Sequence, residues 1–304
     1  MRPGTPGLRV LTLAEASGPA SRLDGLPPLR DVIAAAGLRA DRALGQNFLL
    51  DTNLLDRIAA LVPLAAGDTV YEVGPGPGGL TRALLKRGAR VVAVERDRRA
   101  VAALAPLVEA AGGQLHLVEG DALAVDARAL AGEGAHIAAN LPYNIATPLL
   151  VGWLLSEPWP PWWRSATLMF QREVAERIVA RPGDPAYGRL SVLAAFRTRA
   201  RILVRLPARA FVPAPKVESA VVQLLPQAPV ADVAVARVAD LTARAFGQRR
   251  KMLRQSLRGY LPAVAAAGID PTRRAETLGV AEFAAIAAHL EPAGAGLPAS
   301  EGGC

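Results

Sequence analysis

The sequence predicts an α/β protein: a doubly wound, largely parallel sheet followed by a smaller all-helical domain. Three observations lead there. Between residues 68 and 140, short β-branched runs alternate with stretches of helical period. Those runs, VVAV among them, are apolar almost throughout, as strands covered by helices on both faces are. Beyond about residue 232 the helical period continues without a clear strand.

The elements follow in order. Residues 1–25 carry Gly, Pro and Ser without either period and read as a flexible extension. They are not expected to be a targeting segment, because LRVLTLAEA is short for an apolar core and is interrupted by Arg9 and Glu15. PLRDVIAAAGLRA (28–40) predicts a short amphipathic helix ending at Gly37, and residues 49–64 a longer one. DTVYEV (68–73), ARVVAVE (89–95), QLHLVEG (114–120) and HIAAN (136–140) are the strands of the alternation. LTRALLKRG (80–88) and DRRAVAALAPLVEAA (97–111) are its helices. Further elements are expected at 145–155, 165–171, 172–180, 200–206 and 218–226. A Pro/Ala stretch near 226–232 then separates a sheet domain, 26–228, from a helical domain, 229–292, with a Gly-rich tail at 293–304.

Of the 304 residues, 51% are apolar and 20% charged, which argues against a disordered chain. No uninterrupted apolar run reaches the roughly 18 residues of a bilayer span. A cytoplasmic protein without a membrane partner is expected. The single cysteine, Cys304, is the last residue, so no intrachain disulfide can form. With His116, His136 and His289 scattered, neither a metal site nor histidine-based catalysis is expected. The net charge of +8 suits a polyanionic partner, although an Arg- and Ala-rich bias produces the same excess.

Glu72-Val73-Gly74-Pro75-Gly76-Pro77-Gly78-Gly79 lies between a predicted strand and helix, where glycines let a ligand approach the backbone. The next strand ends in Glu95, placed to accept bonds from two ribose hydroxyls, and the third ends in Glu119-Gly120-Asp121. A dinucleotide enzyme would share this layout. The fourth strand end, Asn140-Leu141-Pro142-Tyr143, is more specific. The exocyclic amine of adenine is a poor nucleophile because its lone pair is delocalised into the ring. The Asn140 side chain and the Leu141 carbonyl, held by Pro142, could accept both amine hydrogens and favour a pyramidal nitrogen. Tyr143 could stack on the base and keep it in line with a methyl donor. The nucleotide-binding reading also gives the cluster Arg244, Arg249, Arg250, Lys251, Arg254 and Arg258 a use: on one helix, Arg250, Arg254 and Arg258 would form a stripe for RNA phosphates. Trp153, Trp159, Trp162 and Trp163 read as loop packing over the sheet.

These segments, with Leu44-Gly45-Gln46-Asn47-Phe48-Leu49, Ala186 to Ser191 and Phe211-Val212-Pro213-Ala214-Pro215-Lys216-Val217, closely resemble the small-subunit rRNA adenine N6-dimethyltransferases, the KsgA/RsmA family. The resemblance runs in order from about residue 28 to 290. It implies a Rossmann-like methyltransferase domain, a small helical C-terminal domain and S-adenosylmethionine as methyl donor. It also implies two adjacent adenosines in the 3′-terminal hairpin of 16S rRNA as substrate, within the immature small subunit during ribosome biogenesis, and a monomer. By this resemblance Gln46, Asn47 and Leu49 contact the cofactor, Gly74 and Gly76 line its methionine portion, and Glu95 holds its ribose. Asp121 takes its adenine amine with Ala122 at the ring edge. Asn140 touches both cofactor and target amine, and Phe211 walls the target base opposite Tyr143. The macrolide-resistance type of 23S rRNA methyltransferase, a non-catalytic assembly factor and a nucleic-acid binder with a vestigial pocket remain as alternatives.

Overall fold

The computed structural model describes residues 19–38 and 47–290. The chain divides into two compact units, Met1–Val179 with Thr198–Ala228, and Ala180–Arg197 with Pro229–Cys304.

The first unit begins with α1 (Pro19–Asp24) and α2 (Leu29–Ala35). The expected flexible extension therefore ends earlier than residue 25: Leu23 is 3% exposed, so this turn of helix buries an apolar side chain, and Asp24 pairs with Lys86 at 3.0 Å. Next come β1 (Phe48–Leu49) and α3 (Thr52–Ala60). The expected helix from residue 49 is shorter because the Asp51 side chain caps it, accepting from Asn53 and Leu54 N–H, which leaves Leu49 in a strand.

The alternation is present as β2 (Thr69–Val73), α4 (Gly79–Lys86), β3 (Arg90–Glu95), α5 (Arg98–Ala103), α6 (Ala105–Ala110) and β4 (Leu115–Glu119). Pro106 divides the single helix expected over 97–111, since proline has no N–H for the bond to the preceding turn. The unit continues with α7 (Ala127–Ala131), β5 (Ala135–Asn140), α8 (Tyr143–Leu155), β6 (Trp163–Gln171), α9 (Arg172–Val179), β7 (Thr198–Leu206), β8 (Phe211–Val212) and β9 (Ser219–Pro226).

Seven strands form one sheet in the order β4-β3-β2-β5-β6-β9-β7. The first five are mutually parallel, while β9 runs antiparallel to both β6 and β7. The order reverses at β2, which lies between β3 and β5, and such a switch point opens a crevice at the carboxyl ends of the strands. Outside this sheet, β1 pairs antiparallel with β8, Phe48 opposite Val212 and Leu49 opposite Phe211. The tryptophans expected to pack as a loop are divided among elements: Trp153 lies in α8 and Trp163 opens β6, while Trp162 sits edge-on to Tyr71 at 5.7 Å and Trp159 edge-on to Trp163 at 6.0 Å.

The second unit contains α10 (Arg189–Arg197), α11 (Val235–Gly247), α12 (Leu253–Ser256), α13 (Leu261–Ala266) and α14 (Val280–Ala288). Residues 180–197, expected in the sheet domain, group with this unit and not with the sheet. Val192, Leu193, Ala194 and Phe196 are buried, and the Val230 N–H donates to the Phe196 carbonyl. The Ala186-to-Ser191 segment is structural: Tyr187 Oη donates to the Leu278 carbonyl at 2.8 Å. No helix among the described residues is long and apolar enough to cross a membrane.

Candidate active site

Four strand ends of the first unit meet at the switch point. After β2 the chain turns through Gly74 and Gly76, both at positive φ, conformations that residues with a Cβ rarely adopt. A Cβ on Gly76 would also rest against the Phe48 ring at 3.4 Å, so this backbone lies directly beneath the segment Asn47–Leu49. Asn47, Leu49, Glu72, Gly74, Gly76, Glu95, Asn140 and Tyr143 line one cavity. A second, lined by Gly74, Glu95, Gly120, Asp121, Ala122 and Pro142, shares Gly74, Glu95 and Pro142 with it.

Glu95 is 6% exposed and stands between the two cavities. Its Oε1 accepts from Arg96 and Asp97 N–H, both at 2.8 Å, and its Oε2 from Gly76 N–H at 3.1 Å. Burial pushes its pKa up, and the backbone donors oppose that shift by stabilising the carboxylate. A carboxylate has about four lone-pair positions. Three are taken, so two ribose hydroxyls would share it with at least one of these donors or displace one.

Asp121 accepts from Leu123 N–H through Oδ1 at 2.9 Å and from Arg96 Nη1 through Oδ2 at 3.3 Å. At the end of β5, Asn140 Nδ2 donates to the Asn47 carbonyl at 3.1 Å, which leaves Oδ1 as the acceptor. Leu141 is buried, Pro142 precedes α8 and Tyr143 opens it. The Tyr143 hydroxyl lies 2.8 Å from Ser219 Oγ, and burial pushes the phenol pKa up.

The expected residues do not all fit. Phe211 is 2% exposed and packs in the apolar core with Leu49, Leu206 and Val221. It lines neither cavity, because pairing with Leu49 turns the ring inward. Gln46 lies outside the described residues. In the second unit, the helix expected to carry the arginine stripe is broken: α11 ends at Gly247, Met252 is extended and bridges to Arg274, and Arg258 lies in a separate 3₁₀ turn, Arg258–Tyr260. Arg250, Lys251, Arg254 and Arg258 are exposed with no acidic partner among the described residues. Arg249 is engaged, donating to the Pro185 carbonyl at 2.5 Å and to Glu276 at 3.1 Å.

Glu72 was not singled out by sequence except as part of its motif. It is 1% exposed, lines the first cavity and accepts a bond from Thr81 Oγ1 at 2.8 Å. Burial pushes its pKa up to about 8, with the neighbouring Glu95 charge adding to the shift.

Sheet order, glycine turn and switch-point cleft define a Rossmann-like fold, and comparison with known proteins places the chain among the methyltransferases built on it. Solved structures agree: a dimethyladenosine transferase from Plasmodium falciparum shares the fold at a TM-score of 0.64 and 24% identity, covering 77% of this chain and 94% of that one. The 23S rRNA methyltransferase ErmE matches at 0.60 and 28% identity, covering 80% and 98%. More specifically, residues 37–291 match the ribosomal RNA adenine dimethylase family, and the chain belongs to that family. Proteins named ribosomal RNA small subunit methyltransferase A are similar over most of their length. The one from Dinoroseobacter shibae is 57% identical over 279 residues, 89% of this chain and 99% of that protein. The one from Sphingopyxis alaskensis is 59% identical over 271 residues, 87% and 99%.

Proposed function

We propose that the protein uses S-adenosylmethionine to dimethylate N6 of two adjacent adenosines in the 3′-terminal hairpin of 16S rRNA. It would act on the immature small ribosomal subunit, as a cytoplasmic monomer. The observation that carries this reading is the Asn140–Asn47 bond, which leaves a fixed amide oxygen at the cleft beside an aromatic ring. The relatives' names support the same substrate class.

The residues fit the cofactor. Asp121 and Ala122 suit its adenine end, Glu95 its ribose, and Asn47, Leu49, Gly74 and Gly76 its amino-acid arm, with buried Glu72 as a countercharge below. When bound, S-adenosylmethionine supplies an electrophilic methyl group on a sulfonium. Asn140 Oδ1 and the Leu141 carbonyl accept the two N6 hydrogens of the target and concentrate its lone pair on nitrogen. Tyr143 stacks on the base and fixes its approach. The proton that the target amine gives up on methylation would pass to water. Phe211 supports the Leu49 segment from behind. Arg250, Lys251, Arg254 and Arg258 contact RNA phosphates.

The test is to incubate the protein and labelled S-adenosylmethionine with undermethylated small subunits, large subunits and free rRNA, then map the modified bases. Dimethyladenosine at two adjacent positions of the small-subunit hairpin is expected. Transfer only to the large subunit, or none, would overturn the reading.

A further inference from the structure

Because β9 runs antiparallel to β6, its first residue lies where the parallel strands end. Ser219 is in register with Gln171 on one side and Leu206 on the other, and so reaches the carboxyl edge of the sheet from the opposite chain direction. It is fully buried, and it lines neither cavity. Its hydroxyl is 2.8 Å from the Tyr143 phenol oxygen.

Tyr143 is held at its backbone by the start of α8 and at its far end by this bond. A ring anchored only at Cα can turn about its Cα–Cβ bond, which leaves Cβ in place but swings the outer edge of the ring away. A misplacement of about 1 Å at a reacting centre can cost on the order of 100-fold in rate.

We propose that Ser219 is a positioning residue for methyl transfer: its hydroxyl holds the Tyr143 ring in the one orientation that presents the stacked target adenine to Asn140. The inference rests on Tyr143 being the platform for that adenine. Ser219 touches neither the substrate nor the cofactor and acts entirely through the phenol.

The experiment is a double-mutant cycle with Ser219→Ala, Tyr143→Phe and the combination, with Tyr143→Ala as control. Single-turnover rates on undermethylated small subunits and the Kd for S-adenosylmethionine are measured for each. Each single variant is expected to lose about tenfold in rate with cofactor Kd unchanged, and the double variant to lose no more than the worse single. A purely structural serine would lower thermal stability and leave the single-turnover rate at the wild-type value. A wild-type rate in Ser219→Ala, or multiplicative losses, would overturn the proposal. Should Ser219→Ala not fold, Tyr143→Phe removes the same bond from the cavity side, and a wild-type rate there overturns it equally. Full activity in Tyr143→Ala would sink the platform reading, and the positioning role with it.

Discussion

Asn140 Nδ2 donates to the backbone carbonyl of Asn47 at 3.1 Å, joining the end of a central strand to a segment 93 residues earlier. A carbonyl can only accept, so this bond decides which end of the amide is nitrogen and commits Oδ1 to accepting. The same segment continues into β1, which pairs with β8. The acceptor proposed for the target amine is therefore oriented by the strap that also covers the glycine turn.

Asn140→Ala should reduce methyl transfer by about 10² to 10³, the range seen when one preorganised hydrogen-bonding group is removed from an active site. Folding should be unaffected, since the side chain is only partly buried. Asn140→Asp should not rescue the rate, because it confronts the Asn47 carbonyl with a second acceptor. Single-turnover assays beside thermal unfolding check both; wild-type turnover in the alanine variant would remove the polarising role.

Glu95→Gln tests the carboxylate between the cavities. Its three backbone donors converge on two oxygens, and a glutamine replaces one oxygen by an NH₂ that faces N–H groups. The expected result is a cofactor Kd raised at least tenfold and a loss of about 1–3 kcal/mol in stability, the cost of a strained set of hydrogen bonds to a buried group. Calorimetric titration and denaturant unfolding measure the two separately.

What the sequence made legible follows strand direction. Parallel strands deliver their last residues to one edge, so Glu95, Asp121 and Asn140 could be placed from spacing alone. Ser219 could not, because the same edge is reached by the first residue of β9 and nothing local to ESAVVQLLP states its direction. Phe211 illustrates another limit: its motif identifies the residue but not which way its ring turns, and that depends on a pairing with Leu49 far away in sequence. The arginine spacing of 250, 254 and 258 satisfies a helical period that the extended Met252 and the separate 3₁₀ turn at Arg258 interrupt.

Glu72 gives the site a pH dependence. Its folded pKa of about 8 lies above its ordinary value of 4.5, so the native protein holds a proton that the unfolded chain releases. This carboxyl's contribution to stability is therefore fully present below pH 4.5 and is lost as pH rises toward about 8. Glu72→Gln should leave the unfolding midpoint near wild type at pH 5 and raise it at pH 8. A cationic ligand favours the ionised form, so affinity for S-adenosylmethionine should rise with pH through this window in the wild type, with proton release on binding. That rise should shrink in Glu72→Gln; an unchanged pH profile would exclude Glu72 as the countercharge.

The basic residues of the second unit separate into two kinds, and substitution should tell them apart. Arg250, Arg254 and Arg258 have no acidic partner among the described residues, whereas Arg249 is bonded to Glu276 and to the Pro185 carbonyl. Each phosphate contact removed lowers the slope of log K against log salt by about 0.7 on single strands and about 0.9 on B-form duplex DNA. Replacing Arg250, Arg254 and Arg258 together by Gln should therefore flatten the slope by about 2 to 3 if all three meet phosphate, with the unfolding midpoint held. Arg249→Gln should do the reverse, destabilising the unit that contains Pro185 and Glu276 while changing the slope little. Filter-binding titrations of small-subunit rRNA across a salt series, run beside thermal melts, distinguish the two. A slope unchanged in the triple variant would mean that these exposed guanidinium groups only solvate the surface, and that the phosphate contacts come from other cations of the chain.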